Sequence, residues 1–260
     1  VDIVAVVDVS KSMLARDLKP NRLERAKEEI RQQLTERAVF AQGHRLALML
    51  FSGGTVTRLP LTTDHQAFRE KLADVRVGTV RRGGTNIGYA LEEATDLFAR
   101  SPERATRIIL LFTDGEDHEE RGAAVAKLAY DESGIRVFPI GIGDPASTIG
   151  AQVPNADGGD KPMLHEGQIV FSKLDVEGLR NIADAGGGRY APISNLNRVV
   201  DAIAKMRQSK LTTEERMRHR PRYQWFLTAA LILMAIEIGI SQKRVSTPQA
   251  DERVWNLTNG

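Results

Sequence analysis

The chain has 260 residues, enough for one large domain or two small ones, and its 42% hydrophobic and 27% charged content is that of a folded protein. Its 36 basic and 34 acidic residues leave a formal charge of only +2, which argues against a general nucleic-acid binder. Cysteine is absent, which excludes disulfides, thiolate zinc sites and thiol catalysis.

The first residue is Val1 rather than Met, and Val1–Val7 already reads as the middle of a buried strand. The sequence is therefore expected to be a piece of a longer chain, and any N-terminal targeting or spanning segment would lie outside it. Ile3–Val7, Leu46–Phe51, Ile108–Phe112 and Val137–Ile142 are short continuous apolar runs, the pattern of strands buried on both faces. Between them come helical periods: Leu23, Ala26, Ile30 and Leu34, then Ile87, Leu91, Ala94 and Phe98, then Val125, Leu128 and Ala129. Thr55–Leu61, after Ser52-Gly53-Gly54, predicts a hairpin partner for Leu46–Phe51. Pro139 cannot donate to a ladder and places its strand at a sheet edge.

Asp144–Ser172 interrupts the alternation with Gly, Pro, Asn and Asp. It reads as a hairpin-like excursion turning near Asp157–Asp160 and recovering at Gln168–Phe171. Leu179, Ile182 and Ala183 then mark a helix that ends at Gly186-Gly187-Gly188 and admits a strand at Arg189–Ile193. Leu196, Val199, Val200 and Ile203 mark the final helix of the domain. Strands alternating with helices over 1–206 predict an α/β, Rossmann-like, mainly parallel sheet flanked by helices. Gly141-x-Gly143-x-x-Ala146 nearly spells a dinucleotide fingerprint, but Pro145 stands where the phosphate-binding helix would begin, so a turn is expected.

The composition changes after residue 206. A basic juxtamembrane linker at 207–222 precedes an apolar segment at 223–241, expected as a transmembrane helix, and a polar tail at 242–260. Apolar residues surround the segment, Tyr223 and Trp225 suit an interface, and both flanks are basic; Glu237 lies one turn from its far end. A buried core helix is the competing reading. Arg216, Arg218, Arg220 and Arg222 before the segment outnumber Lys243, Arg244 and Arg253 after it, which favours a cytoplasmic domain on an inner membrane.

Three expected strand ends carry the chemistry. Ile3–Val7 leads into Asp8-Val9-Ser10-Lys11-Ser12, Ile108–Phe112 leads into Thr113-Asp114-Gly115, and Gly83-Gly84-Thr85-Asn86 opens the helix near Ile87. In an open α/β sheet, such loops gather at the carboxyl edge, where ligands bind. Asp8, Ser10, Ser12, Thr85 and Asp114 then form an all-oxygen donor set, suited to Mg²⁺ or Mn²⁺ rather than zinc. The simpler alternative is that Asp8, Ser10 and Ser12 only cap a following helix. Lys11 could alter the charge at the site or point outward.

This set resembles the metal-ion-dependent adhesion site of von Willebrand factor type A domains, and the resemblance covers Val1–Met206. It implies metal coordination by Asp8, Ser10, Ser12, Thr85 and Asp114, some of it through water. Asp17-Leu18-Lys19-Pro20-Asn21-Arg22-Leu23, Pro60-Leu61-Thr62-Thr63-Asp64 and Thr113-Asp114-Gly115-Glu116-Asp117 are similar to segments of the bacterial Bat (aerotolerance) proteins. That narrower resemblance implies a bacterial membrane protein, associated with a MoxR-type AAA+ ATPase and other proteins carrying this domain, in a chaperone-like or complex-assembly system.

Three functions follow, the third being a scaffold whose empty metal site only stabilises the fold. The leading one is a non-enzymatic, metal-dependent protein-binding module in which a partner's Asp or Glu completes the metal shell. Thr55–Asp64, Thr79–Thr85 and Gly115–Glu120 would form its rim; Arg81 and Arg82 would either face an acidic partner or form an exposed basic turn. The alternative is a metal-assisted phosphoester hydrolase, with Asp8 as nucleophile or Asp117/His118 as base. No phosphate-cradling Lys-Gly loop supports it.

Overall fold

All seven residues of β1 (Asp2–Asp8) are buried, as expected of a β-branched, Val-rich run at the centre of a parallel sheet. The computed structural model describes residues 1–37, 44–100, 106–117, 121–155, 161–217 and 223–243. The chain divides into two units, Val1–Ser209 and Lys210–Gly260. In the first, β2 (Arg45–Phe51), β4 (Arg107–Thr113) and β5 (Arg136–Gly141) run parallel to β1. β3 (Thr55–Thr62) pairs antiparallel with β2, and the sheet order is β10-β5-β4-β1-β2-β3, with β10 at Ala191–Pro192.

Alternate residues along each strand face opposite layers. Ile3, Ala5 and Val7 pack with Leu46, Leu48, Ile108 and Leu110 against α1 (Arg22–Ile30), α2 (His65–Ala73) and α6 (Leu196–Met217). Val4 and Val6 pack with Met49, Ile109 and Leu111 against α3 (Ile87–Ala99), α4 (Gly122–Ser133) and α5 (Val176–Ala185). The register brings the carboxyl ends into line: Asp8 pairs with Phe51, Val7 with Phe112, and Thr113 with Gly141.

Several expectations are refined. α2 was not legible as a helix; Asp64 starts it by accepting from the Gln66 and Ala67 amides, and only Phe68 and Leu72 are buried. Pro139 is near an edge but not on one: β10 pairs with Ile140 and Gly141 alone. The Val137 amide donates outward to the Gly186 carbonyl at 3.0 Å, and Pro139, two residues on, has no amide to leave unpaired. The strand expected at Arg189–Ile193 shrinks to β10, since a 3₁₀ turn begins at Ile193.

The excursion is built from two small ladders. β6 (Ala151–Gln152) pairs with β9 (Phe171–Ser172), and β7 (Leu164–His165) pairs with β8 (Gln168–Ile169). Its expected turn at Asp157–Asp160 lies outside the described residues. Gly143 is followed by turns rather than a helix, so the near-fingerprint binds no dinucleotide in the usual way.

In the second unit, α7 (Tyr223–Lys243) covers the expected apolar segment. The expected transmembrane helix is not supported: among the described residues, no helix is long and apolar enough to cross a membrane. The stretch Leu227–Ile238, where most side chains are described, is exposed and aliphatic. The side chains of Tyr223 and Trp225, those of the 207–222 linker, and the tail beyond Lys243 lie outside the described residues.

Because Phe68 is fully buried against the α1 side of the sheet, α2 should be integral to the domain. Phe68→Ala is expected to lower unfolding free energy by about 3–5 kcal/mol, whereas exposed Leu128→Ala should change it by less than about 0.5 kcal/mol. Urea denaturation of the two variants checks this. Equal midpoints would mean that α2 is peripheral.

Candidate metal centre

The site begins where β1 runs out. The Val9 amide still donates to the Phe51 carbonyl at 2.8 Å, and the chain then turns because Asp8 Oδ1 accepts the Ser10 amide at 2.8 Å. A 3₁₀ turn follows at Lys11–Leu14, with no side-chain cap at Ser10. The first α-helix starts only at Arg22, where Asn21 accepts the Glu24 amide. Helix capping therefore does not account for Asp8, Ser10 and Ser12. Instead, Ser10 Oγ and Ser12 Oγ lie 2.8 Å apart, and Lys11 is exposed.

Asp114 follows β4 on the neighbouring strand. Both carboxylates are fully buried. Asp8 Oδ2 accepts the Thr113 hydroxyl at 2.7 Å, which fixes the two strand ends to each other. Burial, and then the charge of Asp114, push the Asp8 carboxyl up to about 7, with the Ser10 and Thr113 hydrogen bonds opposing the rise.

Thr85 is also buried, in the loop before α3, but among the described residues no hydrogen bond joins it to the other four. Its loop is held to the end of β2. Ser52 Oγ lies 2.9 and 2.8 Å from the Arg82 and Gly84 carbonyls, and the Asn86 amide donates to the Ser52 carbonyl at 2.9 Å. Gly53 is required for this contact, since a Cβ there would lie 2.0 Å from the Gly83 carbonyl oxygen. Arg81 and Arg82 are exposed beside this loop.

The donor chemistry fits a hard cation. Two buried carboxylates and a linked pair of hydroxyls offer oxygen alone, as Mg²⁺ and Mn²⁺ prefer. Among the described residues, no three His, Asp or Glu side chains cluster as a metal-holding group, so a cation here would depend on the hydroxyls as well.

A residue that sequence reasoning missed dominates the back of the site. Arg22, 1% exposed, donates to Asp114 Oδ2 at 2.9 Å and to Asp17. Its burial opposes the charge, yet its hydrogen bonds to Asp17 and the charges of Asp114 and Asp17 raise its pKa overall. Asp17 is itself lowered: burial works against it, and hydrogen bonds from Arg22 and the Asp144 amide outweigh that. Glu116 is raised by burial and by Asp114.

Asp117 sits elsewhere. Its oxygens accept the Ile87 and Gly122 amides at 3.3 and 3.2 Å, joining the N-termini of α3 and α4. His118 lies outside the described residues.

The raised Asp8 carboxyl sets a pH dependence. Between its ordinary 3.8 and its folded value near 7, the folded state holds the proton more tightly than the unfolded state. Stability from this group is therefore lost as pH rises through that window. Without divalent ions, urea denaturation of the wild type should weaken relative to Asp8→Asn between pH 4 and pH 7. Parallel profiles for the two proteins would remove the assignment.

Comparison with known proteins places this geometry. Residues 3–116 match the von Willebrand factor type A domain family. BatB from Bacteroides thetaiotaomicron superposes with a TM-score of 0.71 at 30% identity, covering 82% of this chain and 99% of that one. An aerotolerance-related membrane protein from Bacteroides fragilis gives 0.70 at 32% identity, covering 79% and 97%. A UPF0353 protein from Nocardia farcinica is 27% identical over 251 residues, covering 90% of this chain and 69% of its own length. A Mycolicibacterium paratuberculosis relative is covered over only 56% of its length, so this chain spans about half to two thirds of such relatives. The chain belongs to the von Willebrand factor type A domain family, among relatives that include these Bacteroides aerotolerance proteins.

Proposed function

We propose that Val1–Ser209 is a protein-binding module that holds one Mg²⁺ or Mn²⁺ ion through Asp8, Ser10, Ser12, Thr85 and Asp114. The cation would supply an electrophilic position for an Asp or Glu side chain of a partner protein. The observation that carries this reading is the buried Asp8–Asp114 pair on adjacent strand ends, with the Ser10 and Ser12 hydroxyls beside it. Among the described residues, Asp8 has hydroxyl and amide donors but no cationic side chain hydrogen-bonded to it, unlike Asp114. A divalent ion would offset that charge.

The hydrolase alternative is less well supported. Both oxygens of Asp117 accept helix-end amides, and Asp8 is fully buried and hydrogen-bonded, which suits a ligand better than a nucleophile or base. Members of this domain family are in general non-catalytic interaction modules.

We further place the chain at a bacterial membrane, in keeping with the Bacteroides fragilis membrane protein. Attachment would use the aliphatic residues exposed on α7, such as Leu231, Leu233 and Ile236. The resemblance to Bat proteins points to a MoxR-type AAA+ ATPase as partner, and the excess of basic residues before the apolar segment favours a cytoplasmic position for the domain.

Mg²⁺ at a hundredfold excess over its Kd is expected to stabilise the protein by about 2.7 kcal/mol. The gain should be larger at pH 8 than at pH 5, because the proton on Asp8 competes with the cation. Asp8→Ala should abolish both the gain and any Mg²⁺-dependent capture of a purified MoxR-type ATPase. Capture that survives both chelator and Asp8→Ala would rule out the cation-bridged mode.

A further inference from the structure

Arg22 is among the largest fully buried side chains of the molecule, and each of its N–H groups has an acceptor. Nε donates to Asp17 Oδ1 and Oδ2 at 2.9 and 3.2 Å. Nη2 donates to Asp17 Oδ2 at 2.8 Å and to the Ser172 carbonyl at 3.2 Å. Nη1 donates to Asp114 Oδ2 at 2.9 Å and to Ser172 Oγ at 2.6 Å. The Ser172 hydroxyl completes the ring by donating to the same Asp114 oxygen at 3.1 Å.

The excursion is held at both ends by this group. Asp17, clamped by Arg22, accepts the Asp144 amide at 3.0 Å, and Ser172 closes the far end. At Gly143 a Cβ would meet Nη2 at 3.2 Å and Cζ at 3.4 Å, so the chain passes close to the guanidinium there. Beside Asp114 lies a cleft of about 680 Å³ lined by Gly115, Glu116, Pro145, Lys173 and Asp175. Two of these, Pro145 and Lys173, adjoin the two ends of the excursion.

We propose that Arg22 is a positioning residue that couples the cation site to the described parts of the excursion, 144–155 and 161–172, and so to the shape of the cleft beside Asp114. The proposal rests on the cation-binding reading of Asp8 and Asp114. Asp114 Oδ2 has two donors, Nη1 and Ser172 Oγ, and any movement of that carboxylate toward a cation is transmitted to both. Through Ser172 it reaches β9 and its partner β6. Linkage makes the effect reciprocal: a ligand that moves the excursion changes cation affinity by the same factor.

The test uses the full chain, with Mn²⁺ as the probe. Mn²⁺ affinity is measured by calorimetry, and amide hydrogen exchange of residues 151–153 and 163–172 is followed with and without Mn²⁺. Wild type, Asp8→Ala, Arg22→Lys and Ser172→Ala are compared. Wild-type exchange in the excursion should slow on Mn²⁺ binding. Arg22→Lys, which keeps the charge but loses the fork, should weaken Mn²⁺ binding about tenfold or more, as loss of outer-shell partners does elsewhere. Ser172→Ala should also weaken binding and remove the exchange response, and it stands alone if the Lys variant fails to fold. A purely architectural Arg22 and Ser172 would alter the melting temperature without moving Mn²⁺ affinity. Unchanged affinity in Ser172→Ala, or excursion exchange that ignores Mn²⁺ in a wild type that binds it, overturns the coupling and leaves the cation site standing. A wild type that does not bind Mn²⁺ overturns both.

Discussion

Two carboxylates, Asp8 and Asp114, are buried side by side at the carboxyl edge of the sheet, and their mutual repulsion organises what surrounds them. Neither is solvated, so each needs donors or a cation nearby. They are served differently. Asp114 has the Arg22 guanidinium and the Ser172 hydroxyl, whereas Asp8 has the Ser10 amide and the Thr113 hydroxyl. Burial, and then the charge of Asp114, raise the Asp8 carboxyl, and a cation beside it would offset that charge. The parallel register enforces the arrangement, because it brings the ends of β1 and β4 level.

Much of this architecture is legible in the sequence. β1, β2, β4 and β5 announce themselves because a parallel sheet covered on both faces needs unbroken apolar runs, and Ile3–Val7 and Ile108–Phe112 are such runs. The hairpin of β2 and β3 follows from Ser52-Gly53-Gly54. α2 was missed because its buried face is only Phe68 and Leu72, too few to establish a helical period. The excursion ladders have two residues per strand, too short for alternation to register.

Of the candidate site, the strand-end residues were legible because Asp, Ser and Thr at the ends of apolar strands are chemically conspicuous. Arg22 was not. An arginine in the first turn of an amphipathic helix ordinarily reads as solvated, and nothing local says that it points inward. Its partners Asp17, Asp114 and Ser172 lie 5, 92 and 150 residues away in sequence, so only the fold could assemble them. Asp117 entered only as a base in the alternative hydrolase reading, and its position between two helix N-termini gives both oxygens to backbone amides.

The same logic separates what the guanidinium can do from what a lysine could. A buried ammonium could neutralise Asp114, but as a point charge it could not also hold Asp17 along one edge and the Ser172 carbonyl and hydroxyl along the others. The planar fork joins three segments that the chain keeps far apart: the loop before α1, the end of β4 and the closing strand of the excursion. Burying so many charges together is favourable only if every one is paired, and here each N–H of Arg22 finds an oxygen. A structure so fully satisfied has little slack. Movement of Asp114 would then be shared by the excursion, which is the physical basis for proposing that a cation site and the excursion act as one unit.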